Sequence, residues 1–182
     1  QITPASVSLA KGNSQALSAV ATYSDSTTTD ITSSVAWAAA DTTIATVTAD
    51  GLVAGVVEGN TTITATLDGI NSNVATITVT NAVVTQIQIT PASVSLAKGN
   101  SQALTAMATY TDNTTADISS SVAWTAADTA IATVMLDGSV TGVNVGNTTI
   151  TATLDGINSN VATITVTSAV MKEIQITPAS VS

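Results

Sequence analysis

Four aspartates stand where oxygen ligands could gather. Asp25 and Asp30 flank a Ser/Thr-rich loop within the stretch SDSTTTDIT, residues 24–32, and Asp112 and Asp117 do so in its second copy 87 residues later. A calcium ion takes about six to eight oxygens, several of them from carboxylates. Each loop supplies two carboxylates and a run of hydroxyls, so these four residues are the candidate metal ligands, with calcium as the one cofactor to consider. The competing use is turn chemistry, in which Asp, Ser and Thr side chains cap the backbone of their own loop. Glu58 could join a site in the first copy, but Val145 stands at its place in the second, so a site common to both would need other ligands.

Other residue types invite narrower chemistry. Trp37 and Trp124 could stack on a sugar. Each copy has one Trp, on the same face as a Val two residues before it, and that pattern suits the tryptophan of a sandwich core better. Thr62, Thr64 and Thr66 form a threonine ladder, and Thr76, Thr78 and Thr80 form another. Regular Thr ladders suit an ice-binding surface, but an exposed strand face selects Thr for its β-propensity alone, and sheet twist spoils a flat lattice. Lys11 and Lys98 could enter isopeptide bonds, yet both sit in Lys-Gly-Asn turns rather than in a core. Asn60, Asn113 and Asn147 each open an Asn-x-Thr sequon, a pattern short enough to arise by chance.

Catalytic sets are hard to assemble. The chain has no His and no Cys, and its three basic residues are Lys11, Lys98 and Lys172. The usual general base and thiol nucleophile are missing, and no carboxylate pair flanks an evident groove. No enzyme activity is expected. A net charge of −9 without basic clusters disfavours nucleic acid and anionic lipid as partners. No apolar run approaches the ~18 residues of a membrane helix, so no membrane insertion is expected of this segment.

These side chains are positioned by a repeat. QITPASVS opens the chain at 1–8 and returns at 88–95 and 175–182; Trp37 and Trp124 keep the same interval of 87 residues, as do Tyr23 and Tyr110. A unit of this size can bury its own core. The sequence therefore divides into a first repeat at 1–81, a second at 82–168, and the first strand of a truncated third at 169–182. A chain that ends on half a strand is most simply a piece of a longer tandem array.

Within a repeat the pattern has period two, rich in Thr, Val and Ile, which marks β-strands. The first strand is split by its proline: Ile87 and Ile89 lie before Pro91, Val94 and Leu96 after it. SQALTAMATYTD, 101–112, reads as one strand with Leu104, Ala106, Ala108 and Tyr110 on one face; Leu17, Ala19, Ala21 and Tyr23 are the first-repeat equivalents. Residues 24–32 read as a loop, and Val35 and Trp37 share a face of the next strand. Asp50–Gly51 turns a hairpin over 44–56. The strand at 59–69 points Ile63, Ala65 and Leu67 inward, and the strand at 70–80 does so with Ala75, Ile77 and Val79. Asn81 and Ala82 leave a short junction of restricted angle. The fold class is all-β, with tandem immunoglobulin-like β-sandwiches of about seven strands each.

The stretches ITPASVSLAKG, QAL-A-ATY, YSDSTTTDIT, VAW-AAD, IATV, DG-V-G and GNTTITATLDG resemble the bacterial Ig-like domain, group 2, of invasin- and intimin-type surface proteins and long repetitive adhesins. The resemblance covers both full repeats. It implies stalk or spacer modules of a large secreted or cell-surface adhesin or biofilm-matrix protein. The partners would be neighbouring repeats of the same chain. A self-assembling extracellular filament or sheath, with other copies of the chain as partners, is the second reading. A glycan- or host-protein-binding module is the third, together with an accessory domain of an enzyme or phage structural protein.

Overall fold

The computed structural model describes residues 1–171, 173 and 174; the third QITPASVS phrase at 175–182 and Lys172, and with them most of the expected third repeat, lie outside the described residues. Every regular element among the described residues is a strand. The chain forms two compact units. The first takes Gln1–Val84 with Tyr110–Thr114, and the second takes Thr85–Thr109 and the described residues from Thr115 onward.

The first repeat runs β1 (Ile2–Thr3), β2 (Ser6–Ala10), β3 (Ser14–Ala16), β4 (Ser18–Thr22), β5 (Thr28–Asp30), β6 (Ala36–Ala39), β7 (Ala45–Val47), β8 (Leu52–Gly55), β9 (Gly59–Leu67), β10 (Ile70–Asn71) and β11 (Ala75–Thr80). β9 is the longest and carries its sheet. β6 lies along one side of it, β10 and then β11 along the other, and β2 adds to β11 in parallel. Two three-stranded sheets, β1-β4-β5 and β3-β8-β7, contribute the opposing inner residues. Ile2, Ala19 and Val53 from these sheets, with Leu17 at the break between β3 and β4, meet Val7, Leu9, Ile63, Ala65, Ile77 and Val79 in one buried cluster. This is the expected sandwich, and alternation builds it. On β9 and β11 each buried residue is followed by one on the outer face, because successive side chains of a strand leave on opposite faces.

The second repeat copies this order with β12 (Val84–Thr90), β13 (Ser93–Ala97), β14 (Ser101–Ala103), β15 (Thr105–Tyr110), β16 (Thr115–Asp117), β17 (Ala123–Ala126), β18 (Ala132–Val134), β19 (Ser139–Gly142), β20 (Gly146–Leu154), β21 (Ile157–Asn158) and β22 (Ala162–Thr167). The proline splits the first strand as expected, and the split has a topological use. β12 pairs with β15, while β13 crosses to the other sheet and pairs with β22.

Three expectations need correction. The stretch 101–112 is two strands, not one. β14 pairs with β19 and β15 with β12 and β16, and the break falls at Leu104, whose N–H donates to the Gly138 carbonyl. Residues 24–32 contain the short strand β5, paired to β4 through Val20 and Asp30; the loop is only its turn. Tyr23 does not continue the inward face of Leu17 and Ala19 but is 52% exposed.

The two Asp-Gly pairs of the first repeat make different turns. Asp68 (φ 51°) and Gly69 (φ 81°) both have positive φ and join β9 to β10 directly, since Leu67 pairs with Ile70. That is the two-residue turn that Asp-Gly favours. At Asp50–Gly51 only Gly51 has positive φ, and the hairpin closes through a longer loop in which Thr48 N–H donates to the Leu52 carbonyl and Gly51 N–H to the Thr48 carbonyl.

Candidate functional site

Each of the four aspartates closes a local ring. Asp25 Oδ1 accepts from the backbone N–H (3.0 Å) and hydroxyl (2.6 Å) of Thr27. Asp30 does the same with Thr32, Asp112 with Thr114, and Asp117 with Ser119. An acceptor held by two donors favours its charged form, so all four carboxyls titrate below the ordinary Asp value, the side-chain hydroxyl being the first cause in each. Asp112 is pushed down to about 2, because Lys11 adds to Thr114. Tyr110–Thr114 belongs to the first unit, where Lys11 Nζ lies 3.0 Å from Asp112 Oδ2.

The structure thus gives these residues the turn-capping role. Asp41, which the sequence did not single out, repeats it with Thr43. Among the described residues no three of Asp, Glu, His or Cys gather closely enough to hold a metal ion. The Asp-x-Thr spacing was the signal for this role: a side chain bonding to the residue two positions on is the Asx-turn pattern.

The tryptophans are half-buried and turned into their own repeats. Trp37 Nε1–H donates to the Thr32 carbonyl at 2.9 Å, and Trp124 Nε1–H to the Ser119 carbonyl at 2.8 Å. Trp37 packs against the core cluster. Its ring also lies over the hairpin glycine, where a Cβ on Gly51 would come within 3.0 Å of it. The core tryptophan expected from the sequence is therefore partly exposed, and its polar edge is already occupied. Lys98 Nζ–H donates to Asn144 Oδ1 at 2.9 Å in an exposed pair, not in a core.

The threonine ladders do fall on one face. Thr62 stands beside Thr76, and Thr76 beside Ser6; Asn60 stands beside Thr78, and Thr78 beside Ser8. The second repeat sets Thr149, Thr163 and Ser93 in one row and Asn147, Thr165 and Ser95 in the next. This outer face is uncharged and made of small polar side chains. Several of its hydroxyls are engaged within it: Thr78 donates to Asn60 Oδ1 at 2.8 Å, Thr66 to Asn71 Oδ1 at 2.7 Å, and Thr153 to Asn158 Oδ1 at 2.8 Å. The sequon residue Asn60 is thus part of the same face.

Known proteins resemble the chain at two levels. It is 42% identical over 179 residues to ice-binding protein 1 of Shewanella frigidimarina (strain NCIMB 400), a match that covers 98% of this chain and 20% of that protein. The chain thus spans about a fifth of the length of that relative. Among solved structures, surface layer protein SbsC, domains 1–6, is 20% identical with a TM-score of 0.47, over 86% of this chain and 23% of that one. The fibronectin(III)-like modules of Clostridium thermocellum CbhA are 18% identical with a TM-score of 0.29, over 97% of this chain and 100% of theirs. The family model of the bacterial Ig-like domain (group 2) matches residues 1–79 and again 83–177; the chain belongs to that family as a tandem of immunoglobulin-like sandwiches.

Proposed function

We propose that the two domains are stalk modules of a large secreted or cell-surface bacterial protein whose ligand-binding part lies elsewhere in its chain. The observation that supports this most is duplication without specialisation. The same sandwich occurs twice at a fixed interval, and the polar residues that could do chemistry cap the same turns in both copies. A unique binding site needs no second copy, whereas reach grows with every copy. The 42% identical relative fits this reading, since the chain corresponds to only a fifth of a protein named for binding ice. The binding part held at a distance would then be of that kind or an adhesive tip.

A second reading draws on the uncharged Thr, Ser and Asn face, which could itself adsorb to ice. One experiment separates the two. A fluorescently labelled preparation of this 182-residue chain is frozen slowly onto a cold probe, beside a known ice-binding protein and an inert protein of similar charge. The stalk reading expects the chain to be excluded from the ice like the inert control. Incorporation into the ice, abolished by replacing Thr62, Thr76 and Thr78 with Lys, would overturn it in favour of the second.

A further inference from the structure

In each repeat one sheet has an outer face that the core does not explain. β6, β9, β11 and β2 lie side by side, and none of their residues is charged; the same holds for β17, β20, β22 and β13. Residues 59–80 recur letter for letter as 146–167, and 1–17 as 88–104. Packing holds the inward residues of these strands to type. The outward ones, such as Ser6, Ser8, Thr76 and Thr80, are exposed and carry no such constraint. Outward positions of the opposing sheets differ between the copies: Val20 corresponds to Met107, Leu52 to Ser139 and Ala54 to Thr141. Duplication alone favours neither sheet, so the sameness of this one face marks a surface that touches something.

Charge narrows what it touches. The chain carries a net −9, and all its carboxylates lie outside these strands. A charged ligand finds no counter-charge on the face. A second copy of the chain is repelled by the acidic turns but not here, and a surface so low in charge favours association. Thr, Ser and Asn side chains each both donate and accept hydrogen bonds, so the face is its own complement.

We propose that this face is a homotypic contact, in which the β6–β9–β11–β2 face of one chain, or its second-repeat equivalent, lies against such a face of a second copy. Four strands about 4.8 Å apart, over about 25 Å of β9, make a face of roughly 500 Å². Two of them pressed together bury about 1,000 Å², the lower limit for a specific contact. One contact is therefore weak. Two faces per chain give each copy two points of attachment, and avidity grows with every further repeat. This goes beyond the stalk reading and does not rest on it.

The test is sedimentation equilibrium of the 182-residue chain from about 10 μM to about 1 mM, the range suited to a contact of this size. The average mass should climb to about twice that of one chain or more, and climb further in about 0.5 M salt, where repulsion between acidic copies is screened. A charge at the centre of each face, Thr76→Lys with Thr163→Lys, sets Lys against Lys and should return the chain to monomer. Thr46→Lys with Thr133→Lys, the same charge change on exposed positions of the opposing sheets, should leave association intact. Mixing the Thr76→Lys/Thr163→Lys variant with Thr76→Glu/Thr163→Glu should restore it, as only a face that meets its own kind does. A chain that stays monomeric throughout would overturn the proposal and leave the face to the ice reading. Association that weakens with salt, or that both lysine pairs abolish equally, would also overturn it.

Discussion

Two residues hold Asp112 low: Thr114, whose hydroxyl is the first cause and whose N–H adds to it, and then Lys11, through a hydrogen bond and its charge. Thr114→Ala and Lys11→Gln should therefore each raise that pKa from about 2, and carboxyl chemical shifts followed by NMR against pH would show both rises. A pKa that stays in place in either variant would remove that residue from the account. The same bonds set the direction of acid sensitivity. A folded pKa below the unfolded one means that the bond stabilises at pH above the unfolded value and that this contribution is lost as pH falls through the folded value. For Asp112 the window runs from about 4 down to about 2, and Asp25, Asp30, Asp41 and Asp117 shift the same way. The melting temperature should be level above about pH 5 and decline below about pH 4, as calorimetry across that range would reveal; a maximum below pH 4 would contradict the assignment. At this scale the sequence spoke in two voices. Asp-x-Thr and Asp-x-Ser read first as turn caps and second as ligand sets, because both uses need the same oxygens, and the hydrogen bonds show the caps formed.

Period-two alternation made most strands legible, down to Ile63, Ala65, Ile77 and Val79 pointing inward. What alternation cannot report is which sheet a strand joins. Residues 101–112 alternate across Leu104 without a visible break, yet β14 and β15 belong to different sheets. β5 was invisible for another reason: all three of its residues are exposed, so no buried face imposed a pattern. Turns were legible as dipeptides but not as types, and two glycines show what that costs. Gly51 and Gly69 both have φ of +81°, but a Cβ at Gly51 would lie 2.5 Å from the Leu17 carbonyl oxygen, whereas a Cβ at Gly69 meets nothing within 4 Å. Gly69→Ala should cost about 1–2 kcal/mol, the penalty of a left-handed non-glycine residue. Gly51→Ala carries that strain and a backbone clash, and should cost about 3 kcal/mol or more. Urea unfolding of the two variants measures the difference; equal costs would mean that the hairpin loop gives way freely.

For the whole molecule, duplication carries a mechanical consequence that the residue and element scales do not. The core of the first repeat is assembled from residues of that repeat, from Ile2 to Val79, and the second repeats it with Ile89, Ile150, Ile164 and Val166 fully buried. Ile63 and Ile150 are equivalent positions, both 0% exposed. Truncating either to Ala deletes buried methyl groups and leaves a cavity, at about 2–5 kcal/mol. For a domain of this size each kcal/mol moves the melting temperature by roughly 4–8 °C. If each sandwich holds itself together, Ile63→Ala should lower one calorimetric transition by about 10–30 °C and leave the other in place. Ile150→Ala should do the converse, and the double variant should move both. A stalk needs this property, because one damaged module must not unravel its neighbours. Were either single variant to drag both transitions down together, the two repeats would form one cooperative body, and modular reach would no longer explain why the sequence repeats.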